Sequence, residues 1–250
     1  MCGIHVSLLV EPRSIPPHTH DFLCKRGPDH IGKIERRVGD ANSSYSKILT
    51  FTSTVLALRG DHIAKQPFAS ESTGSVLCWN GEAWRIGGQQ VQGNDGEAIF
   101  DLLAEASASS NRLDAILRVF RSVEGPFAFV YFDKPGGTLF FGRDRLGRRS
   151  LMINGDGLPS GLTLCSIAES RDPSWREVEA DGIYAMDFSP APPSSSSPLQ
   201  FANYSWLAAS DTDLVSRPGE VLYFGHQRWA SLELTLSGFR YWQLQHVFAI

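Results

Sequence analysis

Five apolar runs of strand length follow one another late in the chain, at residues 127–132, 138–141, 150–153, 162–167 and 183–188. Turn residues such as Pro135-Gly136-Gly137 and Gly155-Asp156-Gly157 separate several of them. Tight turns join antiparallel neighbours, because parallel strands need a long crossover. Two earlier runs, 54–58 and 75–79, also read as strands. Residues 4–10 form another, with Ile4, Val6, Leu8 and Val10 alternating and Leu9 adding apolar character to the second face. A short helix is expected around residues 21–24. Between early and late strands the period changes. Ile99, Leu102, Leu103 and Ala106 fall at helical spacing, as do Leu113, Ile116, Leu117 and Phe120. Asn94 or Asp95 suits the N-cap of the first helix, and the second follows Asn111. Antiparallel sheets with helices inserted after the first strands make an α+β domain.

The expected domain covers residues 2–188. Residues 189–198 contain Pro and four consecutive serines, a linker composition. Residues 199–250 form a tail rich in aromatics but without a clear period. With 42% hydrophobic and 20% charged residues, the chain has the composition of an ordinary globular protein. A net charge of -4 gives no basic footprint, so no nucleic-acid partner is expected. No apolar run is long enough for a membrane span. The four cysteines, Cys2, Cys24, Cys78 and Cys165, are far apart and form no Cys-x-x-Cys pair. Neither a disulfide framework nor a zinc knuckle follows, and a cytoplasmic, reducing compartment fits. His18, His20 and Cys24 match no standard zinc spacing, so no metal is expected.

The start of the chain carries the chemistry. Removal of Met1 from Met1-Cys2-Gly3 leaves a thiol and a free α-amine on one residue. The thiolate is a strong nucleophile. The α-amine titrates near 7.7–8.0 and can serve as its base. Covalent geometry then holds nucleophile and base together without a catalytic histidine.

Further motifs occur in order. They are Lys25-Arg26-Gly27-Pro28-Asp29, Leu58-Arg59-Gly60, Trp79-Asn80-Gly81-Glu82, Gly93-Asn94-Asp95, Gly125-Pro126-Phe127-Ala128-Phe129, and Gly142-Arg143-Asp144-Arg145-Leu146-Gly147-Arg148-Arg149. With Met1-Cys2-Gly3-Ile4 they resemble the class II glutamine amidotransferase domain of the asparagine synthetase family. Within it they are most similar to the asparagine synthetase domain-containing members. The resemblance spans roughly positions 2–206. It implies the N-terminal nucleophile hydrolase fold, a four-layer αββα sandwich of two antiparallel sheets. It also implies hydrolysis of glutamine to glutamate and ammonia.

The resemblance carries roles onto individual positions. Cys2 matches the nucleophile. Asn80 and Gly81 match the oxyanion-hole pair, although on local sequence Asn80-Gly81 reads as a hairpin turn. Arg59 matches the residue that grips the α-carboxylate of glutamine, and Asp95 the acid that holds its ammonium group. Glu82 is expected to orient glutamine through its backbone. Arg26, Asp29, Arg143 and Asp144 are expected to support the site without taking part in catalysis.

Two departures stand out. Segments 59–67 and 80–95 are shorter than in standard asparagine synthetases. The Ser-Gly-Gly-(Leu/Ile)-Asp-Ser loop of the family's synthetase half does not occur in these 250 residues. The domain itself is therefore expected to need no cofactor, with ATP and magnesium acting only in an absent synthetase domain. A synthetase domain or partner chain would accept the ammonia. The alternative expectation is a catalytically idle interaction module that keeps the fold. Service to a sugar-phosphate acceptor ranks last, because no sugar-phosphate isomerase pattern is present.

Overall fold

The structure, a computed structural model, describes residues 1–39, 47–155, 161–168, 172–188, 200–207 and 222–223. The first half contains β1 (Gly3–Leu9), α1 (Pro17–Arg26), β2 (His30–Val38), β3 (Lys47–Val55), β4 (Phe68–Ala69) and β5 (Val76–Gly81). Short strands β6 (Arg85–Ile86) and β7 (Gln89–Gln90) precede α2 (Asp95–Ser107) and α3 (Arg112–Arg121). There follow β8 (Val123–Glu124), β9 (Phe127–Asp133), β10 (Thr138–Arg143), β11 (Met152–Asn154), β12 (Leu162–Cys165) and β13 (Trp175–Glu177). The described strands end with β14 (Gly182–Asp187), β15 (Gln200–Ser205) and β16 (Leu222–Tyr223).

Two antiparallel sheets face each other. One has the order β13-β11-β12-β1-β3-β2 and the other β16-β15-β14-β10-β9-β5-β4. The strand period of two sorts side chains between the layers. On β9, Ala128, Val130 and Phe132 enter the core between the sheets. Phe127, Phe129 and Tyr131 enter a second core against α2 and α3. β5 divides in the same way, with Val76 and Cys78 in the first core and Leu77 and Trp79 in the second. Ile99, Leu103, Ile116, Leu117 and Phe120 close that second core from the helices. Phe120 stacks on Phe129 with ring centroids 3.7 Å apart. α1 packs against β1 and β3 on the far side of the first sheet. Among the described residues the layers are therefore α, β, β, α, with one helix on one side and two on the other.

Several expected elements move. The strand read at 54–58 ends at Val55 and begins as far back as Lys47. Beyond Val55 the chain leaves the sheet, and the amide of Ala57 donates to Asp29 Oδ2 at 2.7 Å. Asn80-Gly81 is not a hairpin turn. Both residues remain paired with β9, opposite Ala128 and Phe127. A Cβ on Gly81 would lie 2.6 Å from Phe127 Cβ and 2.9 Å from the Trp79 ring, so close packing explains this glycine better than a turn does. The second sheet also reaches past residue 188. β15 pairs with β14, Phe201 packs edge-on to Phe141, and Trp206 is buried. The linker expected at 189–198 lies outside the described residues, as does most of 199–250.

Candidate active site

The two residues before β1, the loop after β3, the end of β5 and the start of α2 open onto one cavity of ≈ 140 Å³. All six expected site residues, Cys2, Arg59, Asn80, Gly81, Glu82 and Asp95, line it.

Cys2 precedes β1 and is held by the end of α1 and the segment that follows it. Arg26 Nε donates to the Cys2 carbonyl at 3.4 Å. Gly27 lies so close to β3 that a Cβ would come within 2.5 Å of the Thr54–Val55 backbone. Asp29 completes the brace, its amide donating to the Val55 carbonyl while its carboxylate accepts from Ala57. The Cys2 sulfur lies 3.9 Å from the Leu56 carbonyl. Burial pushes the Cys2 thiol above its ordinary value, and the Leu56 carbonyl is the next influence on it. Burial lowers the α-amine of Met1, which donates to the Arg26 carbonyl at 3.4 Å. Met1 itself lines the cavity.

Asn80 is 1% exposed, and its Nδ2 has no hydrogen-bond partner among the described residues. A buried donor left unpaired is costly unless something arrives to use it. The Glu82 amide donates to the Pro126 carbonyl, and the Glu82 carbonyl fits against the Cα face of Gly125. The Glu82 N–H is therefore committed to the fold and is not free for a ligand.

Arg59 donates to the carbonyls of Ala83 at 2.6 Å and Val91 at 3.1 Å. These bonds fix the guanidinium at the cavity wall and leave three of its five N–H donors for a ligand. Asp95 is 5% exposed. Its Oδ2 accepts from Trp79 Nε1 at 3.0 Å and from the Ala83 amide at 2.8 Å. No hydrogen bond from a described residue reaches its Oδ1. The cap of α2 belongs to Asn94, whose side chain accepts from the Glu97 amide, so Asp95 occupies the first helical turn. Arg59 and Asp95 both bond to Ala83, which brings a cation and an anion together in the cavity wall, as the zwitterionic end of an α-amino acid requires.

The Gly142–Arg149 motif works from behind. Asp144 accepts from the amides of Phe127, Leu146 and Arg148 and from Arg148 Nε. Arg143 donates to the carbonyls of Gly147, Arg149 and Val178. Together they form the turn that presents Arg149 at the cavity rim, where it donates to Met1 Sδ at 3.6 Å. Sequence reasoning missed Gln66, which lines the cavity and accepts from the Trp79 amide at 2.8 Å. No local pattern marked it, because its role depends on a strand 13 residues away.

The sequence and the fold resemble those of known proteins. Residues 54–168 match a family described as a glutamine amidotransferase domain. Asparagine synthetase domain-containing protein 1 of Bos taurus is 34% identical over 85% of this chain and 32% of its own length. The Mus musculus protein of that name is 31% identical over 89% of this chain and 34% of its own. The chain thus spans about a third of the length of these curated relatives. A solved structure described as the allosteric regulatory enzyme of purine biosynthesis aligns at TM-score 0.52 and 18% identity. It covers 75% of this chain and 47% of that one, a likeness of fold. Among the described residues no helix is long and apolar enough to cross a membrane.

Proposed function

Because this chain carries a class II glutamine amidotransferase domain of the asparagine synthetase family, we propose that it hydrolyses glutamine, with Cys2 as nucleophile once Met1 is removed. The observation that carries the reading is the buried, unpartnered Nδ2 of Asn80 in the same cavity as Cys2, Arg59 and Asp95. Arg59 takes the α-carboxylate and Asp95 the α-ammonium group, which directs the side-chain amide toward the remaining polar groups. The Cys2 sulfur attacks the amide carbon. With Met1 in place, burial raises the pKa of this thiol, which favours its protonated form. The proton therefore leaves as the S–C bond forms, to the amine on the same residue. Asn80 donates to the developing oxyanion, beside the backbone of Gly81. The C–N bond then breaks, ammonia leaves with the proton, and water cleaves the thioester to glutamate and free thiol.

The names of the relatives support asparagine-type amide synthesis as the use of that ammonia, in a synthetase domain or partner. The test of the core reading is release of glutamate and ammonia in equal amounts from glutamine by the purified chain with its mature N-terminus. No release from chain verified to begin at Cys2 would leave an idle module as the better description.

Asp95→Asn should separate binding from folding. The neutral amide still offers one oxygen to Trp79 and Ala83, and Asn94 still caps α2. The charge facing the ammonium group is lost. A charge-assisted bond of about 1.5–3 kcal/mol corresponds to a KM for glutamine raised roughly 10- to 150-fold. Steady-state kinetics beside a thermal melt would show it, and an unchanged KM would confine Asp95 to its structural bonds.

A further inference from the structure

Segment 56–66 forms one wall of the cavity, contributing Leu56, Ala57, Leu58, Arg59, Ala64 and Gln66 to its lining. It has few apolar anchors of its own. Leu58 is 75% exposed and Ile63 45% exposed. What ties its middle to the body of the domain is polar. Asn94 Nδ2 reaches the Arg59 carbonyl at 3.4 Å. Three residues on, the His62 ring lies between two carboxylates. Its Nδ1 is 2.8 Å from Asp61 Oδ1, and its Nε2 is 2.9 Å from Glu97 Oε1 on the first turn of α2. That turn also carries Asp95.

The two contacts together specify a charge state. An ionised carboxylate only accepts hydrogen bonds, and a neutral imidazole has one N–H and one bare nitrogen. Neutral His62 can satisfy one carboxylate and must turn a lone pair toward the other. Only the imidazolium donates to both. We propose that His62 is a positioning residue for glutamine, a clasp that pins the cavity wall to α2 in its protonated state and loosens when it deprotonates. This rests on the glutaminase reading for its consequence, although the clasp itself does not.

The charged groups that face His62 are Asp61, from its own segment, and Glu97, from α2. The hydrogen bond to Asp61, then that to Glu97, raises its pKa from 6.5 to about 8. The sign follows. A raised pKa means that the clasp is complete below about 6.5 and is lost as pH rises through about 8. All three side chains are substantially exposed, so added salt should weaken the effect.

The test compares the wild type with His62→Gln and Glu97→Gln. Titrations of Cys2 and the α-amine are common to wild type and His62→Gln, so they cancel when the two pH profiles are divided. The expected result is that KM for glutamine rises between pH 6.5 and 9 by ~2- to 5-fold more in wild type than in His62→Gln, the range typical of exposed ion pairs. The kcat profiles should coincide. An equal change of KM at every pH would reduce His62 to a passive support and overturn the proposal. A direct readout is the His62 ring titration by NMR, expected near 8 and displaced downward in Glu97→Gln. An ordinary imidazole titration insensitive to Glu97→Gln would also overturn it. Absence of glutamine turnover at every pH would count against the glutaminase reading instead, and the ring titration would still decide the clasp.

Discussion

Cys2→Ala is expected to abolish ammonia release from glutamine and to leave the fold in place. Among the described residues that line the cavity, Cys2 alone carries a thiol, and none carries a hydroxyl. Loss of a nucleophile that acts as a unit with its base costs at least ~10⁴-fold in kcat. The fold should tolerate the change because the sulfur has only a distant contact, 3.9 Å to the Leu56 carbonyl. The strand that follows is held by backbone pairing with β3 and β12. Glutamate-dehydrogenase-coupled ammonia release and circular dichroism measure the two halves of the expectation. Wild-type turnover by the variant would remove Cys2 from the mechanism. An uncleavable N-terminal extension should inactivate to a similar degree, since it turns the basic amine into an amide.

Asn80→Ala should lower kcat by ~10²–10³-fold, with little change in KM. The asymmetry has a structural cause. In the resting protein Nδ2 is buried and bonded to no described residue, so deleting it breaks no existing bond to that atom. Its partner is the oxyanion, which exists only along the reaction path, and an interaction made only there acts on kcat. Binding rests on Arg59 and Asp95, which the substitution does not touch. A raised KM with unchanged kcat would mean that Asn80 holds ground-state glutamine. A large loss of stability would mean that its side chain supports β5.

The sequence reveals elements whose pattern is local and apolar. The helical spacing around Ile99 and Leu117 marks α2 and α3, and the alternating run after Gly3 marks β1. Elements that bury polar faces or lie at a sheet edge leave a weaker trace. β2 is an edge strand with Lys33, Glu35 and Arg37 on its exposed face, and Lys33 pairs with Glu35 at 2.7 Å. Such charge protects an edge but hides its strand character. All of β3 before Thr54 escapes for a different reason. Its Thr50 and Thr52 are buried, so alternation of hydrophobicity does not report burial there. β15 follows a Ser/Pro stretch that reads as a boundary, yet Phe201 and Trp206 carry the chain back into the fold.

The site divides along the same line. Cys2, Arg59, Asn80 and Asp95 were identifiable because each belongs to a short motif whose order along the chain is distinctive. Their geometry was not, since Asn80-Gly81 has the composition of a turn and lies in a strand. The double anchoring of Arg59 and the place of Gln66 in the wall depend on contacts between distant segments. His62 lies in no motif at all. Its neighbours become meaningful only when α2 brings Glu97 beside the loop.

The most direct test is mass spectrometry of the purified chain after treatment with an electrophilic glutamine analogue. The expected product lacks Met1 and carries one adduct, on the peptide that begins with Cys2, and excess glutamine prevents its formation. Cys24 has a comparable intermediate exposure and serves as the internal control. A chain verified to begin at Cys2 that takes no label, or one labelled at Cys24 and not at Cys2, would contradict an N-terminal cysteine nucleophile.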